Sequence, residues 1–365
     1  MTEQDHRPRA RITGPGDLTQ VIPYLVGFTP EESLVILVVD YGQVAVTARV
    51  DIADMLPEGR TEDLLDRLWT RFPGADAHLV AYTAYQPAGW GILDRCAAHL
   101  PDGVTVQRTL VHGDTWYLSN GQTGTIDRYG SIAAEARFHG LRRLSSRSEL
   151  VAAFASPPQT AELTAHTRAG LAGLPQPGDT DAIITRMGEL IRHHLPTGDD
   201  QPEPAPLDVY DAVQLAVLAQ HPKAREVAML AITRQDAPEH LSLWRTVVNN
   251  VPEFGAEAPL YLAGIAAWAA GEGAAASIAL ERTQRVGEPG PYAPARLLDE
   301  LIDHVVPPSA WDSFRAEGLE HADPRVRDAV QSLNPPKVWE AIPQHTLRRG
   351  SKPPDVAPPA PSIAI

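Results

Sequence analysis

From Asp17 to Asp40 the chain reads DLTQVIPYLVGFTPEESLVILVVD, an amphipathic stretch followed by an unbroken apolar run. Leu18, Val21, Ile22, Leu25 and Val26 recur at helical spacing and predict a helix with one apolar face. Asp17 stands where its carboxylate can cap that helix, Pro23 should kink or shorten it, and Gly27 should end it in the left-handed conformation. Thr29-Pro30-Glu31-Glu32 has the residue order of a capping box and reads as a single turn feeding a strand. Leu34 to Val39 has no polar alternation, which predicts a strand covered on both faces at the centre of a sheet, with the helix packed on it. Asp40-Tyr41-Gly42 reads as a hairpin turn. Val44, Val46, Ala48, Val50 and Ile52 then alternate with Ala45, Thr47, Arg49 and Asp51, the pattern of a half-exposed return strand.

Thr61 opens a helix whose stripe is Leu64, Leu65, Leu68, Trp69 and Phe72. Ala77 to Thr83 is a mostly apolar strand with His78 inside it, read as a structural histidine. A helix over Pro87 to Leu100 leads to a hairpin, Val104–Val111 and Thr115–Ser119, turning at His112-Gly113-Asp114. Asn120 to Asp127 reads as a polar, glycine-rich loop, and no Gly-Lys-Ser/Thr makes it a phosphate-binding one. A short helix over Ser131 to Phe138 follows, and Ser146-Arg147-Ser148-Glu149 is a capping box opening another, to about Ala155. Hairpin, helix, strand, helix, hairpin is the order of a mixed sheet with covering helices.

After Pro157-Pro158 the period is helical throughout, in segments near 160–172, 179–194, 207–220, 223–234, 238–250, 258–270, 274–286 and 293–306. Alanine-rich helices joined by Gly271-Glu272-Gly273 predict a tight helical hairpin. The expected architecture is an α/β N-terminal domain over residues 12–156, then an all-α helical bundle or short solenoid over 157–333. An acidic, proline-rich linker at 196–206 interrupts the second, and disordered ends are expected at 1–11 and 334–365.

Composition narrows the function classes. With 31 basic and 46 acidic residues the formal charge is −15, which repels nucleic acid and anionic lipid. One cysteine, Cys96, permits neither an intrachain disulfide nor a cysteine-based zinc site. The first residues carry no apolar signal core, and Ala256 to Ala270 is too short to span a bilayer, so a cytoplasmic protein without a membrane segment is expected.

No Gly-x-Ser-x-Gly, His-Glu-x-x-His, Walker or dinucleotide motif occurs. The catalytic candidates are strand-end groups: Asp40, Arg49, Asp51, His112 and Asp114. Arg137, Arg142, Arg143 and Arg147 read as an anion-binding patch, which is also the one place nucleic acid could bind. His193 and His194 are adjacent, so on a helix they point about 100° apart and are not expected to chelate together. No metal and no cofactor is expected.

Taken in order, DLTQVIPYLVGFTPEESLVILVV, ARVDI, the hairpin before Trp116-Tyr117, SRSELVAAFASP, AWAAGEGAAASIAL and ARLLDELI resemble the actinobacterial "domain of unknown function 4192" family, from about Arg11 to about Phe314. That resemblance implies no activity, cofactor or catalytic residue. Many members place a cysteine-rich segment after the tryptophan hairpin; here Leu118 to Gly124 contains none, so no metal or redox role carries over. The leading expectation is a non-catalytic or regulatory protein-binding module using its helical half. The alternative is an enzyme or small-ligand sensor with a site at the sheet edge, and whether the chain is an enzyme stays open.

Overall fold

The computed structural model describes residues 12, 14–55, 57, 59–138, 143–195, 205–286 and 292–334, apart from the side chains of Ala136 and Arg137. The expected disordered ends apart from Asn334, most of the proline-rich linker, Arg142 and the Arg137 side chain thus lie outside the described residues.

Strands β1 (Ser33–Asp40) and β2 (Gln43–Asp51) form the expected hairpin. Tyr41 and Gly42 turn it with φ of 48° and 74°, the left-handed pair whose twist matches the strands. β3 (Asp76–Tyr82) pairs antiparallel with β1 and parallel with β4 (Val106–His112). β5 (Thr115–Leu118) and β6 (Thr123–Thr125) complete the order β2-β1-β3-β4-β5-β6. Helix α1 is Pro15–Val26, α2 is Arg60–Arg71, and α3, the crossover between the parallel strands, is Gln86–His99.

The apolar run of β1 has a structural cause on each face. Leu34, Ile36 and Val38 join Leu79, Ala81 and Leu110 beneath α2 and α3, which contribute Leu65, Leu68, Trp69, Leu93 and Cys96. Val35 and Leu37, with Val80, Tyr82 and Val111, face α1 through Leu18, Val21 and Ile22, and this core runs on without a break into the helical half. A strand with two dry faces has no position for a polar side chain.

Four local expectations are corrected. Helix α1 begins at Pro15 after Gly14, so Asp17 lies inside the first turn and caps nothing from the N-cap position. Residues 29–32 form no helical turn; Glu32 takes φ 43° and its carboxylate turns away to the β3 end. The loop at Asn120–Asp127 contains β6, three residues that give no readable period, where Gly124 lets the Trp116 ring lie on the backbone: a Cβ there would stand 2.4 Å from Trp116 Cζ2. A bulge between Val38 and Val39 pairs Val39 with Val44 and Val38 with Val46, so Ala45 is an extra residue and Val44 packs on the opposite core from Val46.

The remaining elements are helical: α4 (Ser131–Phe138), α5 (Arg147–Ala152), α6 (Ala161–Ala172), α7 (Thr180–His194), α8 (Val209–Gln220), α9 (Pro222–Ala231), α10 (Ala237–Val248), α11 (Glu257–Ala270), α12 (Gly273–Val286), α13 (Ala295–Asp303), α14 (Trp311–His321) and α15 (Pro324–Leu333). The last two extend beyond the final helix the periodicity marked. Every residue of α11 from Ala258 to Ala269 is buried, so α11 is the axis of the bundle. The small residues of α11 and α12 serve that packing. A Cβ on Gly264 would meet Leu298 Cδ2 at 2.3 Å and Ala279 Cβ at 3.3 Å. Among the described residues no helix is long and apolar enough to cross a membrane.

Candidate functional site

Register decides which strand-end groups meet. Ser33 lies opposite Asp51 on one side and Tyr82 on the other, Tyr82 lies opposite Val111, and His112 opposite Thr115. Arg49, Asp51, His112 and Asp114 therefore share one end of the sheet, the end where the parallel strands β3 and β4 finish. With strands about 4.8 Å apart, Asp51 and His112 stand roughly 14 Å from one another. Asp40 is at the opposite end, paired with Gln43, about 23 Å along β1 from Ser33 at 3.3 Å per residue.

Each candidate at the shared end has a partner. Arg49 donates from Nη2 to Asp51 Oδ1 at 2.6 Å and from Nε to Ser33 Oγ at 2.9 Å, with its guanidinium 5.5 Å from the centre of the Phe28 ring. Its side chain is only 11 % exposed, so the guanidinium is held against the fold, while the Asp51 side chain stays 44 % exposed. Asp114 accepts from Arg128 Nε at 2.5 Å. His112 Nδ1 lies 3.4 Å from Gln86 Nε2, a long contact on an exposed ring.

Glu32 is the strand-end group that sequence reasoning assigned elsewhere. Its Oε2 accepts the Thr83 hydroxyl at 2.7 Å and its Oε1 accepts the Ala84 N–H at 2.9 Å, just before α3. The two residues are 51 and 52 positions away in sequence, so no local signal could reveal the contact.

The arginine patch is divided. Arg147 Nη2 sits between both carboxylate oxygens of Glu281, at 2.8 and 3.0 Å, and ties α5 to α12. The Arg143 guanidinium lies 5.7 Å from the centre of the Tyr24 ring. His78, within β3, contacts Gln107 of β4, and burial holds its imidazole below the ordinary range.

An open groove of about 370 Å³ lies away from all these residues, between α7 and α15. Its cations are already paired: Arg325 with Asp181 at 2.5 Å and Asp323 at 2.9 Å, and Arg192 with the Ser332 hydroxyl at 2.8 Å. The Arg325 hydrogen bonds pull the Asp323 carboxyl down to about 2.

The profile of a family described as "Domain of unknown function (DUF4192)" matches residues 15–309. No curated protein and no solved structure matches the chain.

Proposed function

The chain belongs to the DUF4192 family, a domain of unknown function, and from its geometry we propose that it is a non-catalytic binding protein whose helical half receives a protein partner. The observation that carries this reading is the pairing at the sheet end. Acid–base or nucleophilic chemistry needs convergent groups aimed at a common point. Glu32, Arg49, Asp51 and Asp114 are instead aimed at Thr83, Ser33, one another or Arg128, as a polar frame. Because the α11–α12 hairpin packs inward, the surface we assign to the partner is on α6 and α8, a choice supported by Leu171, Tyr210 and Val217, which are 45, 46 and 38 % exposed. Tyr210 and Val217 are seven residues apart and lie on one stripe of α8. A photo-crosslinker at Val217 in a native lysate should give one reproducible adduct, lost with Tyr210→Asp. Random adducts, or an adduct indifferent to Tyr210→Asp, would overturn the reading.

A second reading is a small-ligand sensor at the ends of β3 and β4, since open α/β sheets bind ligands beyond the carboxyl ends of parallel strands. The long Gln86–His112 contact favours it, because both groups can exchange that contact for a ligand. A thermal-shift screen of nucleotides and common metabolites tests it. The expected hit raises Tm in the wild type and not in Gln86→Ala; a screen without such a hit sinks it.

A further inference from the structure

His194 ends α7 and is 5 % exposed. Its Nδ1 lies 2.9 Å from the Ala205 carbonyl oxygen and its Nε2 lies 3.0 Å from Asp211 Oδ2, in the first turn of α8. A carbonyl only accepts, so Nδ1 carries the hydrogen there. The Nε2 lone pair is left facing a carboxylate oxygen, and two lone pairs at that distance require a proton or a cation between them. His193 completes the group. Adjacent side chains on a regular helix diverge, but here the two rings meet at the end of the helix, with centroids 4.8 Å apart at 71°. The ligand atoms of His193, His194 and Asp211 all lie within 4.8 Å of one another.

We infer that His193, His194 and Asp211 form a binding site for a divalent transition metal of the zinc type, joining the end of α7 to the start of α8. Metal bonds of about 2.0–2.2 Å put neighbouring tetrahedral ligands roughly 3.3 Å apart, which the His194–Asp211 spacing of 3.0 Å already approaches. His193 is exposed, and its ligand atom already lies within 4.8 Å of the other two. The bond from His194 Nδ1 to a backbone carbonyl is the outer brace that fixes the tautomer of a metal-bound imidazole. Arg186 takes the other carboxylate oxygen, Asp211 Oδ1, at 3.5 Å, and its Nε donates to Gln214 Oε1 at 2.9 Å. That grip leaves Oδ2 aimed at His194. Two imidazoles and one carboxylate select zinc, nickel or copper over magnesium or calcium, and leave a fourth position for water.

Calorimetric titration of the untagged full chain with Zn²⁺ should show one equivalent bound, and Co²⁺ should give the intense visible absorption of a tetrahedral site. His193→Ala, at an exposed position, and Asp211→Asn, of the same shape, should each weaken zinc binding by at least about tenfold. Circular dichroism checks that both variants are folded. Absence of a zinc equivalent in the wild type, binding unchanged in both folded variants, or only the pale spectrum of octahedral Co²⁺ would overturn the assignment.

Discussion

Glu32 and Thr83 hold the end of the sheet together: the Glu32 carboxylate accepts the Thr83 hydroxyl at 2.7 Å, from a backbone with φ 43°. The contact stabilises while the conformation costs, because a side chain in the left-handed region is disfavoured by about 1–2 kcal/mol. Glu32→Ala keeps the cost and loses the charged hydrogen bonds, so urea unfolding should show a loss of about 1–3 kcal/mol. Glu32→Gly loses the same bonds but relaxes the backbone, and should be the milder substitution by about 1 kcal/mol. The reverse order would show that the backbone geometry is not what sets the balance.

Gly264 is required by contact rather than by conformation. The space a Cβ would occupy holds Leu298 Cδ2, and Leu298 is fully buried. Gly264→Ala should destabilise by about 1–3 kcal/mol through overpacking. Leu298→Ala should cost about 2–5 kcal/mol by opening a cavity. The double variant should lose clearly less than the sum, since each change makes room for the other. Strict additivity in a double-mutant cycle would place the strain elsewhere.

His240 makes stability depend on pH. It is 3 % exposed, and burial, helped by the Arg315 guanidinium, pushes its imidazole down to about 3. In the unfolded chain a histidine titrates near 6.5. Between these values the unfolded state binds a proton that the folded state refuses, so stability falls as the solution is acidified, by up to about 1.4 kcal/mol per pH unit. Asp236, 3.9 Å away, works in the opposite sense, because burial raises its carboxyl and the folded state keeps that proton to higher pH than the unfolded chain does. Urea midpoints measured from pH 7 to pH 5 should fall less steeply for His240→Leu than for wild type. Parallel curves would refute the assignment.

Cys96 should be chemically silent. It is fully buried between α3 and the sheet, and burial pushes its thiol up to about 12. Thiolate is the reactive form, so a disulfide reagent at pH 8 should label the native chain only at the rate at which it opens. Rapid stoichiometric labelling without denaturant would contradict the burial.

The alternation of apolar and polar residues carried much of the fold. The unbroken run of β1 declared two covered faces, and the helical period after Pro157 declared the second half. Elements were lost where the pattern was too short or too blurred to read, as with β6 and α14. The candidate site was legible only as a set of residue types. Arg49 and Asp51 are close in sequence and share a face, so their pairing could be anticipated. Asp40 belongs to the same hairpin yet stands at its far end.

Sequence alone determined most of the element types, the sheet-then-helices order and the acidic balance, because these follow from local spacing and composition. Tertiary structure decided which polar groups meet. Glu32 finds Thr83, and His194 finds Asp211, across 51 and 17 residues. Such contacts depend on strand register and helix packing, which one residue of slip would abolish. The small residues of α11 show the same division: their spacing announced close approach, and only the packed bundle showed that they approach its own helices.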